Sequence, residues 1–208
     1  MPVNPMLVGR TVLLIIDIQK GGFLDGYNGG IPKMAAWRAH MRNARRLIDA
    51  ARAAGHPIIF FQEAHRPDHV DFGRELDGTE DVHCVEGAEG TELAVEEIDF
   101  RPSDYFIRKR RYSCFFGTDL EILLKGLKAE TLVLVGGLTD VCVHYTYADA
   151  HQHDYHARVI SDAVAGSSEA AHTASLAAME YLQTGAVRTT DAMIAAFATR
   201  AKAVSGVG

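Results

Sequence analysis

A cysteine, an aspartate and a lysine each follow directly, or nearly so, on a segment with the composition of a β-strand. Cys142 comes shortly after the apolar residues 132–135 and two glycines, Asp17 follows residues 11–16, and Lys109 ends a shorter segment. The sharp turn that the glycines allow places Cys142 in the first turn of a helix, beside unpaired backbone N–H groups and the positive end of the helix dipole. Because that position favours a thiolate, the pattern predicts a nucleophilic cysteine.

Strand-like and helix-like segments alternate along the chain, which is typical of an α/β, doubly wound, mostly parallel sheet with helices on both faces. The carboxyl ends of parallel strands lie along one edge of such a sheet, so Asp17, Lys109 and Cys142 are expected to meet there. We predict strands at 11–16, 57–61, 105–108, 132–135, 157–160 and 186–188, and helices at 32–54, 118–127, 139–153, 168–182 and 190–202. We expect a single domain over 1–208.

Several side chains are expected to fix the ends and faces of these helices. Thr139 or Asp140 can cap the helix of the nucleophile, and Thr118 and Glu121 have the spacing of a capping box. The helix at 168–182 is predicted to bury Ala171, Ala174, Ala178, Met179 and Leu182.

The three reactive side chains have complementary chemistry. Asp17 can take the thiol proton and later give it to a leaving amine, and Lys109 can stabilise both the carboxylate and the thiolate. Cys142 can then attack a carbonyl carbon and form a thioester. Backbone N–H groups at the turn of Gly137 and Leu138 and at Cys142 are placed to bind the oxyanion. Alone, Cys142 is equally well explained as a small core residue, and a lone lysine such as Lys109 is usually a solvated surface charge, so only their combination predicts catalysis.

Composition limits the partners. The 208 residues carry a formal net charge of −6 and have one basic cluster, residues 108–111, so nucleic acid is not an expected partner. No apolar run approaches the roughly 18 residues of a membrane span, and the N-terminus lacks the features of a signal peptide. Three cysteines without metal-type spacing indicate free thiols in the cytoplasm, and Cys84 and Cys114 are expected to be inert.

Four blocks of sequence resemble the isochorismatase-like cysteine hydrolase superfamily, which includes nicotinamidases, N-carbamoylsarcosine amidohydrolases, biuret hydrolases and ureidoacrylate amidohydrolases. These blocks are residues 14–19, 109–120, 136–143 and 146–150. The resemblance implies a triad of Asp17, Lys109 and Cys142, and a cis peptide between Gly137 and Leu138 that turns the Leu138 and Cys142 amides toward the oxyanion. It also implies the isochorismatase-like fold, with three α-β-α layers and a sheet of order 3-2-1-4-5-6, and a homo-oligomer, either a dimer or a tetramer.

The resemblance does not decide whether the chain has a metal site. Nicotinamidases of this superfamily bind a divalent metal through an Asp-x-His pair and a later His, to which Glu63, His65 and His83 correspond with Glu in place of Asp. The segment from Glu63 to Asp68 also resembles biuret hydrolases, which work without metal, and His69 follows it. We expect no metal and no other cofactor.

The pocket is expected to be shaped by residues 21–31, a glycine-rich segment without phosphate-binding spacing, and by the irregular residues 63–103. The residues expected to contact substrate are Gln19, Phe23, Glu63, His65, Tyr112 and Phe115. Because the resemblance implies that members which cleave a vinyl ether lack the cysteine, Cys142 favours hydrolysis of a small amide, carbamoyl or ureido compound. The alternatives are a metal-assisted nicotinamidase-type amidase and a non-catalytic binding protein on the same fold.

Overall fold

Six parallel strands form one sheet in the order β3-β2-β1-β4-β5-β6, as predicted. The strands are β1 (Arg10–Ile16), β2 (Ile58–Glu63), β3 (Tyr105–Lys109), β4 (Ala129–Gly137), β5 (His156–Ala165) and β6 (Val187–Arg188). The computed structural model describes residues 4–26 and 29–205, and only the backbone of 200–205. Tyr27 and Asn28 of the glycine-rich segment, and the ends of the predicted domain at 1–3 and 206–208, lie outside the described residues.

The helices cover both faces of the sheet and make the three predicted layers. They are α1 (Trp37–Ala53), α2 (Val95–Ile98), α3 (Leu120–Leu127), α4 (Cys142–Gln152), α5 (Glu169–Leu182) and α6 (Thr190–Ser205). One hydrophobic cluster joins the sheet to α1, α2 and α6, and a second joins it to α3, α4 and α5. Within the described ranges, no helix combines the length and the apolar composition that crossing a membrane requires.

The central strands are continuous apolar runs because both of their faces are buried. In β1, Leu13 and Ile15 belong to the cluster under α1, whereas Val12, Leu14 and Ile16 belong to the cluster under α4. Alternation of side chains across the sheet produces this division. The parallel pairing of β1 with β2 and β4 fixes the register of their carboxyl ends, at the edge where the reactive residues lie.

The predicted caps of the nucleophile's helix are wrong. The N-cap of α4 is Val141, and no side chain caps it. Thr139 Oγ1 instead lies 2.9 Å from His172 Nδ1 in α5. The Asp140 carboxylate accepts hydrogen bonds from the backbone N–H and the hydroxyl of Ser167, at 2.9 and 2.6 Å. Both side chains therefore hydrogen-bond the segment before α4 to residues at the start of α5 and in the connection that precedes it.

The capping box at α3 is also wrong, because the helix begins one residue later than that motif requires. Thr118 Oγ1 accepts from the Leu120 amide at 3.2 Å and donates to the Cys114 carbonyl at 2.6 Å. Glu121 forms an ion pair with Lys125 along the helix instead of reaching back to its N-terminus. Similarly, α1 begins at Trp37 and not at 32.

The buried face of α5 differs from the prediction. The residues of α5 that are buried are His172, Ser175 and Met179. Ala174 and Leu182, which were expected in the core, are exposed. Because alanines occur all around this helix, their spacing does not tell which face is buried. The contact between His172 and Thr139 lies on the face that is buried in the structure.

Candidate active site

Four adjacent strands each bring one reactive side chain to the same edge of the sheet. Lys109 and Glu63 end β3 and β2 and are register partners, Asp17 follows β1, and Cys142 opens α4 after β4. The Lys109 Nζ atom lies 2.8 Å from Asp17 Oδ2, 3.2 Å from Glu63 Oε2 and 3.4 Å from Cys142 Sγ. The structure therefore brings together the three residues predicted as a triad, with Glu63 as a fourth member.

Burial and the shared lysine divide the charges of this cluster unequally. Burial raises the pKa of Asp17 to about 6 although Lys109 opposes it. Burial also acts to raise the pKa of Glu63, but Lys109 and the nearby His65 outweigh it and hold that pKa well below the usual range. The pKa of Lys109 is raised despite burial, mainly by Asp17 and Cys142. At neutral pH, Glu63 therefore balances Lys109, and Asp17 is close to its titration point.

Cys142 is a protonated thiol in the resting site. Burial, followed by the charge of Glu63, raises its pKa well above the ordinary value. Its Sγ atom lies 3.4 Å from Glu63 Oε2, in position to donate a hydrogen bond. The helix dipole contributes at most about 2 kcal/mol, and desolvation outweighs it, so the helix N-terminus by itself does not produce a thiolate here.

The turn before Cys142 has the geometry of an anion-binding turn. Gly136 has φ +115, and a Cβ there would lie 2.0 Å from the carbonyl oxygen of Ile16, so only glycine fits. The peptide between Gly137 and Leu138 is cis, as predicted. Among the described residues, neither the Leu138 amide nor the Cys142 amide donates to a protein acceptor. Two N–H groups beside the thiol are thus available to a ligand oxygen.

A cavity that is open to solvent contains this cluster. Gln19, Glu63 and Tyr112 line it, and their contact with a substrate stays a prediction. Its walls also include parts of the glycine-rich segment and of the irregular segment, at Gly21, Gly22, Gly29, Glu80, His83, Cys84 and Gly90. Because this cavity opens to solvent, a small molecule can reach the cluster from outside.

Three residues expected to contact substrate do not line this cavity. Phe23 faces a separate groove, Phe115 stacks on the ring of His153, and His65 is completely buried beneath the cavity. The expectation of substrate contact is therefore not met for these three side chains within this chain. Aromatic residues that follow a reactive position by a few residues can point to either side of it, and the sequence does not tell which.

A second cluster adjoins the first and fits a metal ion. Glu63, His65, Glu75 and His83 are all buried and offer ligand atoms that lie within 4.8 Å of one another. His65 Nε2 is 3.2 Å from Glu75 Oε2 and 3.4 Å from Glu63 Oε1, but neither contact has hydrogen-bond geometry. Such orphaned nitrogen and oxygen atoms are the donor set of a divalent transition metal. His69 is exposed and lies outside this cluster.

The same cluster can instead hold a proton. Burial acts to lower the pKa of His65, but its contacts with Glu63 and Glu75 outweigh burial and raise that pKa to about 9. An imidazolium at His65 would balance these carboxylates without a metal. Glu75 was not predicted from the sequence, because it lies among many acidic residues of the irregular segment without a recognisable spacing.

Two further cavity residues were missed as site residues. Lys33 lines the cavity although it carries no motif, and Trp37 lines it although its helical spacing predicted only a core position. The one feature of the sequence that could have indicated Lys33 is its position directly after Pro32, next to the glycine-rich segment. Trp37 is a core residue and a cavity residue at once, because it packs in the hydrophobic cluster under α1 and also lines the cavity.

Comparison with known proteins places this geometry in a family. The profile described as Isochorismatase domain matches residues 11–192. The chain belongs to the isochorismatase family. Among curated isochorismatase-family relatives, ureidoacrylate amidohydrolase RutB of Yersinia enterocolitica is 32% identical over 177 residues, which cover 74% of this chain and 74% of that protein. The superfamily predicted from the sequence blocks is therefore confirmed.

Solved structures agree with this membership of the isochorismatase family. A cysteine hydrolase from Pseudomonas syringae pv. phaseolicola superposes with a TM-score of 0.84 at 25% identity, covering 96% of this chain and 99% of that one. N-carbamoylsarcosine amidase from Thermoplasma acidophilum gives a TM-score of 0.74 at 26% identity, with 88% and 98% covered. The predicted fold and the prediction of a hydrolase are confirmed.

Proposed function

We propose that this chain is a cysteine-dependent amidohydrolase that cleaves a small amide, carbamoyl or ureido compound through a thioester and releases ammonia or an amine. The family and its amidohydrolase relatives support a hydrolase acting on non-peptide C–N bonds. The cysteine step rests on one observation: Cys142 Sγ lies 3.4 Å from Lys109 Nζ, beside two backbone amides that have no acceptor among the described residues.

In the first half-reaction, the substrate carbonyl oxygen accepts hydrogen bonds from the Leu138 and Cys142 amides. Cys142 Sγ attacks the carbonyl carbon while its proton passes to Asp17. The oxyanion of the tetrahedral intermediate is stabilised by the two amides. When the C–N bond breaks, Asp17 returns the proton to the leaving nitrogen, so that a neutral ammonia or amine departs and a thioester remains on Cys142.

In the second half-reaction, a water molecule attacks the thioester carbonyl and gives its proton to Asp17. The C–S bond breaks, the acid or carbamate is released, and the proton on Asp17 returns to the sulfur. Lys109 remains a cation throughout and stabilises each anion as it forms. A carboxylate with a pKa of about 6 suits this exchange, because it takes and returns a proton near neutral pH.

The variant Cys142→Ala tests this proposal against a panel of primary amides, carbamoyl amino acids, ureas and nicotinamide, scored for ammonia release. We expect the variant to lose all turnover and to keep the thermal unfolding curve of the wild type. Cys114→Ala is the matched control, because that thiol is fully buried away from the cavity, and it should keep turnover. Turnover by Cys142→Ala close to the wild-type rate would refute the cysteine mechanism. If the wild-type protein hydrolyses no compound of the panel and its Cys142 thiol is unreactive, a non-catalytic binding protein is favoured instead.

The buried cluster favours one second candidate, a metal-assisted amidase of the nicotinamidase type. Glu63, His65, Glu75 and His83 would hold the ion, which as a Lewis acid would bind and polarise a substrate atom. Our first proposal needs no metal, and elemental analysis of the purified protein separates the two. About one Zn, Fe or Mn per chain, lost in His83→Ala, would replace the metal-free proposal, whereas turnover by metal-free protein would support it.

Two expectations accompany the proposal and remain predictions. We propose that the protein works as a homo-oligomer, a dimer or a tetramer, and sedimentation measures this directly. We also place it in the reducing cytoplasm, because its chemistry needs a reduced thiol at Cys142 and all three cysteines are free.

A further inference from the structure

Lys33 is a cation in the catalytic cavity without a counter-charge. Its Nζ atom donates to the Gly21 carbonyl at 3.0 Å, and it forms no ion pair within the part of the chain that the structure describes. Burial lowers the pKa of Lys33, as expected for an ammonium group that has lost water without gaining an anion. Two of its three N–H donors are therefore available to a ligand.

The other charges of the cavity do not balance Lys33. Lys109 is matched by Asp17 and Glu63 at ion-pair distance, so the nucleophile end has two carboxylates for one cation. Glu80 lies on the side of Tyr112, whose hydroxyl donates to it at 3.2 Å. The cavity therefore has acidic groups around the nucleophile and beside Tyr112, and one unpaired cation at Lys33.

A continuous wall connects the oxyanion turn with Lys33. The Trp37 indole packs between Gly137 of that turn and Gly22, since a Cβ at either glycine would lie 2.5 Å from an indole atom. Gly22 follows Gly21, whose carbonyl accepts the hydrogen bond from Lys33. The indole N–H of Trp37 is buried and has no hydrogen-bond acceptor among the described residues.

We propose that Lys33 is a specificity-determining residue that binds a carboxylate at the far end of an acyclic ureido or carbamoyl acid. This inference rests on the proposed function. The substrate carbonyl lies at the Leu138 and Cys142 amides, the chain of the substrate runs along the Trp37 indole, and its carboxylate pairs with the Lys33 ammonium. A charge-assisted pair inside a cavity is strong enough to select anionic substrates over neutral ones.

Binding to the inactive Cys142→Ala variant tests this assignment by calorimetry. The probes are ω-ureido carboxylates with two, three or four methylenes, alkylureas that carry an isopropyl group in place of the carboxylate, and ω-ureido amines. We expect the carboxylates to bind most tightly. Adding Lys33→Gln should reduce their preference over the isopropyl isosteres about ten- to hundredfold, whereas Lys33→Arg should keep most of it.

The ratio between carboxylate and isostere is the decisive measurement, because a purely structural role of Lys33 would weaken both probes equally. An unchanged ratio in Lys33→Gln, or a wild-type cavity that prefers the neutral or cationic probes, would overturn the proposal. Ammonia release by the unmutated enzyme tests the proposed function separately. Carboxylate binding that depends on Lys33 without any turnover would refute the hydrolase mechanism and leave the binding assignment standing.

Discussion

Replacing Lys109 by methionine removes the ammonium group that lies between the buried carboxylates of Asp17 and Glu63. The side chain of Lys109 is 0% exposed, and those of Asp17 and Glu63 are 8% and 4% exposed. Breaking a buried ion pair from one side costs about 3–5 kcal/mol, because the remaining charge stays desolvated. Against a total free energy of unfolding of about 5–15 kcal/mol, this loss should be visible in any denaturant experiment.

The loss should depend on pH with a definite sign. Without Lys109, the folded-state pKa of Asp17 rises further above its unfolded value. The folded-state pKa of Glu63 rises as well, because Glu63 loses the largest of the interactions that depress it. A carboxyl whose pKa is raised by folding favours the folded state at low pH and loses that contribution as pH rises through the folded pKa. The deficit of Lys109→Met relative to the wild type should therefore be larger at pH 8 than at pH 5.

Urea unfolding followed by the fluorescence of the single tryptophan, Trp37, measures this deficit at both pH values. Lys125→Met is the matched control, because Lys125 pairs with Glu121 on the exposed surface of α3 and its loss should change little. A second substitution, Glu63→Gln, should return part of the stability to Lys109→Met. A deficit equal at pH 5 and pH 8, or no greater than that of the control, would refute the assigned charges.

Three other outcomes are expected. Because Asp17 must be ionised to accept the thiol proton, kcat/KM should fall as pH drops below about 6, and a flat pH–rate profile across that range would contradict this role. Gly136→Ala should lower the free energy of unfolding by at least about 3 kcal/mol, because the added Cβ would clash with the backbone of the neighbouring strand. Gly126→Ala is the control: its Cβ would lie in open space within α3, so it should raise the free energy of unfolding by about 0.5–1 kcal/mol. Thermal unfolding compares the two variants. Iodoacetamide followed by peptide mass spectrometry should find Cys142 alkylated in the native protein and Cys114 only after unfolding, and the reverse order would contradict the assigned cavity.

The placement of the three reactive residues was predictable because it depends on where each one follows a strand along the sequence. Apolar runs that end in Asp17 and Lys109, and one that leads to Cys142, suffice to place three side chains on one edge of a parallel sheet. Sequence resemblance supplied the strand order and the cis peptide, and both are confirmed. Neither periodicity nor composition contains that information.

Other features were not predictable because they depend on contacts between distant segments. Asp140 has the right type and position for a helix cap, but Ser167 on another connection competes successfully for its carboxylate. Glu75 lies beside His65 and His83 only because the long connection between β2 and β3 brings residues distant in sequence together. The charge of Lys33 is likewise a property of its surroundings, since the sequence shows a lysine but does not show that it forms no ion pair with a described acidic residue.

The long connection between β2 and β3 has a consequence for how such an enzyme can change. The residues proposed for bond breaking stand at strand ends, whereas Lys33, Glu80, His83 and Cys84 belong to the two connections that follow β1 and β2. Selectivity and reactivity are thus encoded by different stretches of sequence. Exchanging residues 20–36 together with residues 64–104 between members of the family should transfer the choice of substrate while leaving the nucleophile in place. New activities can therefore arise by exchange of these two connections.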